Sequence, residues 1–159
     1  MKMLRNLLRS RRGATAVEHA LILPVFFLLT LVMIETAWQM AIVAGVDHGA
    51  RRGARWISLG AAAPTGMTRD ERLAEIVLTS TGLPLSAGRL SVTPTAFSSF
   101  TQLGTPGAGV GGLGGPDQVV QYVITYQSTL LTPPARNLIP TGLLRFRTVI
   151  VAQNEPFPQ

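Results

Sequence analysis

The 159-residue chain has no cysteine, which excludes disulfides, thiolate metal sites and a cysteine nucleophile, and leaves stability to packing. Lysine is almost as scarce: Lys2 stands alone. The glycine-rich run at 104–116, GTPGAGVGGLGGP, therefore lacks the Lys-Ser/Thr pair of a phosphate-binding loop and reads as a flexible, irregular connection. His19 and His48 are the only histidines and no spaced ligand set surrounds them, so neither a metal nor a cofactor is expected. Ser58, Ser80, Ser98 and Ser99 have no Gly-x-Ser-x-Gly setting and no credible base, so no catalytic residue is expected and the chain does not read as an enzyme.

Charge of one sign is missing from the N-terminus. Lys2, Arg5, Arg9, Arg11 and Arg12 occupy the first 13 residues without an acidic neighbour, whereas the remainder carries nine basic against eight acidic side chains. The net charge of +6 is thus a topology signal rather than a nucleic-acid groove, which would need basic residues interleaved with aromatics.

Beyond this cluster the chain is apolar. Ala20 to Ile34 and Ala37 to Val46 carry no charge, and Glu35 interrupts them. About 20 apolar residues in a helix span a hydrocarbon core of roughly 30 Å. The stretch Ala20–Val46 is longer than the core of a secretory signal, and Ala61-Ala62-Ala63 lies too far downstream to serve as its cleavage site, so it reads as an anchor. The basic cluster before it predicts a cytoplasmic N-terminus, although Arg51, Arg52 and Arg55 beyond it reduce the asymmetry. Pro24 is expected to bend the helix, its missing donor being tolerable where neighbouring groups compensate. Glu35, an ionisable group within the span, is a functional candidate: it pairs with another subunit or an assembly platform, or it is protonated and bonded locally, for example through Thr36 or Gln39 of a neighbouring helix.

The helix is predicted to continue through Asp47 to Leu59. Gly45, Gly49 and Gly53 recur at a spacing that permits close helix approach; a glycine-weakened helix end accounts for them equally well. Gly60–Gly66 is a linker. Thr68 and Glu71 form a capping box, and Leu73, Ile76 and Val77 make the core stripe of a short helix that Gly82 and Pro84 terminate. Asp70, Glu71 and Glu75 at its start suit the helix dipole and do not read as an acid–base pair. Three strands are predicted: Arg89–Ala96, with Pro94 marking an edge; Val119–Thr129, with Val120, Tyr122, Ile124 and Tyr126 on one face; and Leu143–Asn154. Between the last two, Leu130–Gly142 with Pro133, Pro134 and Pro140 is expected to be a long loop. The fold class is α+β: a long N-terminal transmembrane helix, then a short helix and a three-stranded antiparallel sheet. The organisation is a basic leader at 1–13, a helix at 14–60 and a small domain at 61–159.

The junction Arg11–Pro24 reads RRGATAVEHALILP: a basic leader ending in glycine, a small residue, and a glutamate five residues after the glycine. This resembles the processing site of type IV-type prepilins. The wider run, with Pro24 and Glu35, resembles the N-terminus of TadE-like proteins, minor pilins or pseudopilins of tight-adherence pili. Gly49–Ile57 is similar to the small-and-basic segment that follows their anchor, and Val149–Phe157 (VIVAQNEPF) to their closing strand. His19 departs from the aromatic or apolar residue usual after the glutamate, and the Phe-Thr-Leu of type II secretion pseudopilins is absent.

The resemblance implies cleavage by a membrane prepilin peptidase between Gly13 and Ala14. A glycine there lets the backbone lie extended in a protease cleft. It also implies that Glu18 pairs with the new amine at Ala14 of a neighbouring subunit and sets helix register. Glu18 snorkelling to the headgroups beside His19 is the plainer reading of that residue alone. The implied partners are the peptidase, other pilins and minor pilins, the inner-membrane assembly platform and the lipid bilayer, with no nucleic acid. The implied location is the bacterial inner membrane, with the C-terminal domain periplasmic. The competing expectation is an uncleaved, single-pass, membrane-anchored periplasmic scaffold or binding module.

Overall fold

A computed structural model describes residues 11–139 and 141–156. The first ten residues of the predicted leader at 1–13, Pro140 and the closing residues 157–159 lie outside the described residues. A single helix, α1 (Arg11–Ser58), runs through the predicted anchor and on past Asp47, with Pro24 inside it. Its surface changes character along its length. From Thr15 to Ile34 no side chain is buried, and Leu21, Ile22, Phe26, Phe27, Leu29 and Met33 stand exposed. From Glu35 onward a stripe at helical spacing is buried: Glu35, Gln39, Ile42, Val46, Ala50, Ala54 and Ile57. The same helix is thus an exposed apolar rod below and the spine of a folded domain above.

The domain wraps this upper half. Helix α2 (Arg69–Thr79) starts at the predicted capping box: Thr68 Oγ1 accepts from the Glu71 amide, while the Glu71 carboxylate accepts from the Thr68 amide at 2.7 Å. Leu73, Ile76 and Val77 face inward. Burying an aliphatic side chain of this size contributes about 1.5–3 kcal/mol, so this stripe is what holds α2 against α1. Strands β1 (Leu90–Phe97), β2 (Val110–Gly111), β3 (Val119–Thr129) and β4 (Leu143–Gln153) form one antiparallel sheet in the order β2-β1-β3-β4. The register stacks Leu90–Tyr126–Phe146, Val92–Ile124–Thr148, Pro94–Tyr122–Ile150 and Ala96–Val120–Ala152. These rows form the face that meets the helices, as the alternation in 119–129 predicts.

The sheet has four strands, not three. The extra one lies in the run expected to be irregular, where Gly111 and Val110 pair with Thr95 and Ala96. Strand β1 is therefore not the edge that Pro94 was expected to mark, because β2 pairs beyond it, and Pro94 turns toward that short outer partner. Its carbonyl accepts from the Gly112 amide at 3.1 Å, so its missing N–H also faces away from β3 and costs the central ladder nothing. Gly109 lies against Thr95 and the Phe97 ring with no room for a Cβ, which gives one glycine of that run a packing role. The predicted loop at 130–142 also contains an element, the short helix α3 (Pro133–Leu138), with Thr132 at its N-cap and prolines in its first turn.

All long elements run along one axis. Hydrogen bonds set the heights on α1: Glu35 meets Leu131 and Thr132, Gln39 meets Thr129, Asp47 meets Thr148, and the Ser58 carbonyl accepts from Glu155. Strand β4 therefore rises with α1 while β3 and α2 descend. The end of the domain that carries α3 sits beside the exposed apolar rod.

Candidate functional site

Two glutamates on α1 have opposite surroundings. Glu18 lies on the exposed apolar half and its carboxylate forms no hydrogen bond or ion pair with any described residue. Its neighbour His19 is bonded through Nδ1 to the Thr15 carbonyl at 2.8 Å. Gly13 and Ala14, the predicted cleavage residues, lie in the helical stretch just before it. No described residue satisfies Glu18, and a carboxylate surrounded by apolar side chains is costly unless it finds a cation or water.

Glu35 is the reverse. Its carboxylate is 7% exposed and accepts from both sides. Oε1 takes the Gln39 side-chain amide at 2.6 Å and the Leu131 amide at 3.0 Å; Oε2 takes the Leu131 amide at 2.9 Å, the Thr132 amide at 2.8 Å and the Thr132 hydroxyl at 3.0 Å. Backbone N–H groups at the head of a helix are orphan donors, and here a carboxylate from another element satisfies those leading into α3. Gln39 completes the tie by donating to the Thr129 carbonyl at 3.2 Å. Glu35 is therefore bonded within its own chain. Thr36, offered as a local partner, instead donates to the Val32 carbonyl. Nor does Glu35 face lipid, because Leu130 and Thr132 cover it. The uncovered apolar stretch ends at Ile34, short of the predicted limit at Val46. It still contains about 20 residues from Thr15, or about 30 Å of helix.

Gly45, Gly49 and Gly53 form the crossing point of α1 and α2. A Cβ on Gly49 would lie 2.9 Å from the Val77 Cα, one on Gly45 3.0 Å from the Thr81 Cβ, and one on Gly53 would strike Leu73. Close approach is the correct reading of the three glycines, and the second helix belongs to the same chain. At the top, Asn154 is 2% exposed. It donates through Nδ2 to the Leu113 and Gly115 carbonyls at 3.0 and 2.9 Å, and its amide donates to the Gln118 carbonyl at 2.8 Å. The Asn-Glu pair of the closing strand thus fastens the glycine-rich segment and, through Glu155, the end of α1.

Gln39 is among the expected partners of Glu35, although it bonds from the same helix rather than from a neighbouring one; Leu131 and Thr132 carry no such expectation. The signal for Thr132 was the Thr-Pro-Pro triplet, which marks a helix start, whereas the 96-residue separation from Glu35 to Leu131 has no local signature.

The TadE-like protein family model matches residues 13–55. Over this segment the chain is similar to TadE-like proteins. The TadE-like match starts at Gly13, includes both glutamates and the glycine stripe, and stops within α1. The sheet domain lies beyond it. No curated protein and no solved structure gives a significant match. Among the described residues one helix, overlapping the TadE-like segment, is long and apolar enough to cross a membrane, which is compatible with a single-pass membrane protein.

Proposed function

We propose that this protein is a minor pilin or pseudopilin that takes part in assembling a tight-adherence pilus at the bacterial inner membrane. The observation that carries the reading is Glu18: an exposed carboxylate without a partner among the described residues, on an apolar helix, five residues after Gly13 at the start of the TadE-like match. Prepilin peptidase cuts between Gly13 and Ala14. The new amine of one subunit then meets Glu18 of the next, giving the carboxylate the cation its surroundings demand. The rod from Thr15 to Ile34 spans the membrane with the basic leader on the cytoplasmic side, and the sheet domain stands in the periplasm on a spine locked by Glu35. Other pilins and the assembly platform are the partners. The protein has no catalytic role of its own in this scheme.

The test is replacement of Glu18 by Gln and by Ala in cells that build the pilus. Because Glu18 forms no hydrogen bond or ion pair with a described residue, membrane levels and domain protection against protease should be unchanged, while pilus number falls at least tenfold. Normal piliation with the Ala variant would remove Glu18 from the mechanism. A second reading, the uncleaved anchored scaffold, draws support from the glycine stripe, since a surface for helix–helix packing is used inside the chain.

A further inference from the structure

The lower end of the domain, beside the exposed rod, has its own chemistry. Between α1 and α3 lies an open groove of about 310 Å³. Leu28, Leu31 and Val32 of the rod form one wall, Pro134, Ala135 and Ile139 the other. It is closed at the top by the buried Glu35 network and runs without a break into the apolar surface of the rod. Leu131, next to it, is 46% exposed.

Basic side chains surround this end, and among the described residues Glu35 is the one acidic side chain there. Arg136, on α3, donates through Nε to the Leu130 carbonyl at 2.8 Å and through an Nη to the Leu131 carbonyl at 3.3 Å. Arg89, at the foot of β1, donates to the Thr129 hydroxyl at 3.0 Å. Arg145 lies two residues up from the foot of β4 on the exposed face. These arginines are held by neutral oxygens or face solvent, and among the described residues none is in an ion pair. The acidic residues of the domain lie higher: Asp47 beside Thr148, Asp70, Glu71 and Glu75 in the upper half of α2, and Asp117 and Glu155 at the top. Only Glu35 is at the lower end, and it is consumed by its own hydrogen bonds.

We propose that this end of the domain is a binding site for anionic phospholipid in the leaflet nearest the domain. Arg89, Arg136 and Arg145 take the phosphates, and one acyl chain lies in the groove between Leu28–Val32 and α3. Guanidinium groups with free donors suit phosphate oxygens, and long basic side chains reach headgroups while their stems lie on apolar surface. The occupant follows from continuity: the groove opens onto the surface that the membrane already covers, at the height where hydrocarbon gives way to headgroups. The site fixes the depth and tilt of the domain, and with it the height at which a neighbour meets the sheet. This inference rests on the rod being a membrane span.

The absence of cysteine makes the test direct. Single variants Leu28→Cys, Leu131→Cys and Val110→Cys of the full chain, each carrying a nitroxide, are reconstituted in phosphatidylcholine vesicles with and without phosphatidylglycerol. Access to a lipid-soluble and to a water-soluble relaxation agent gives each depth, and spin-labelled lipids give headgroup preference. The expected result is Leu28 deep, Leu131 at acyl depth near the headgroups and Val110 in water. Phosphatidylglycerol should be preferred by roughly fivefold per engaged arginine at low salt, and the preference lost when the three arginines become Gln but kept when they become Lys. Leu131 in water with Leu28 in lipid would overturn the inference and leave the span intact. Leu28 in water would overturn the span itself. Lipid-depth Leu131 without preference for phosphatidylglycerol, in the unsubstituted arginine background, would refute the headgroup site. Dipolar coupling between Leu131 labels would place a second copy in the groove instead.

Discussion

Glu35→Ala tests the tie between the rod and the domain. The substitution removes one carboxylate and leaves the Leu131 and Thr132 amides and the Thr132 hydroxyl facing a small apolar gap. The hydroxyl can turn to another acceptor; the two amides cannot. A buried donor left unsatisfied costs about 1–3 kcal/mol. The two share one backbone segment and do not add fully, so a local destabilisation of about 3 kcal/mol is expected. At about 1.4 kcal/mol per tenfold, the population of the open loop should rise roughly a hundredfold. Hydrogen–deuterium exchange of the Leu131 and Thr132 amides in detergent micelles reads this directly. Glu35→Gln keeps one acceptor oxygen but presents an NH₂ to donors, so its effect should be intermediate, roughly tenfold for a loss of about 1–2 kcal/mol. The centre of β3, whose ladder does not depend on Glu35, should exchange as before. Unchanged exchange at Leu131 and Thr132 in Glu35→Ala would refute the latch, as would equal acceleration throughout the sheet.

Three further outcomes follow from packing and protonation. Gly49→Ala would gain about 1 kcal/mol from helix propensity alone, but its Cβ would press on the Val77 backbone; overpacking of this kind costs about 1–3 kcal/mol, so the melting temperature should fall, and a rise would contradict the crossing. Acceptance of the Thr68 amide and hydroxyl holds the Glu71 carboxyl below its ordinary value. Its contribution is therefore present above the unfolded-state value near 4.5 and is lost as pH falls through the lower folded value, so exchange at the start of α2 should accelerate below about pH 4 and become pH-independent, beyond intrinsic chemistry, in Glu71→Gln. The Tyr122 hydroxyl is buried without a hydrogen-bond partner and burial pushes its pKa up; Tyr122→Phe should leave stability unchanged or raise it, by up to about 1 kcal/mol, and a clear loss in chemical denaturation would reveal a partner.

The parts legible in the sequence are those whose signals are local. Helix α2 follows from the Thr68–Glu71 box and the Leu73–Ile76–Val77 stripe, and β3 from strict alternation over Val119–Thr129, both found where expected. The long helix follows from an apolar run without breakers other than Pro24. Strand β2 was not legible because glycine carries no alternation and its two residues pair only where Thr95 and Ala96 stand free. Helix α3 had its start signal in Thr132-Pro133-Pro134, masked by prolines that also suit a loop. For the site, chain position marks Glu18 and composition marks Glu35 as an anomaly, but the amides that bind Glu35 are contributed through backbone, which has no residue code. The glycine stripe announces close packing without naming the helix it meets.

The central claim, that this is a processed pilin-class subunit, is tested most directly by the intact mass of the membrane-extracted protein from cells with and without their prepilin peptidase. Residues 1–13 should be lost only where the peptidase is present, with Ala14 as the new N-terminus. The same full-length mass in both cells would contradict it and leave an anchored scaffold.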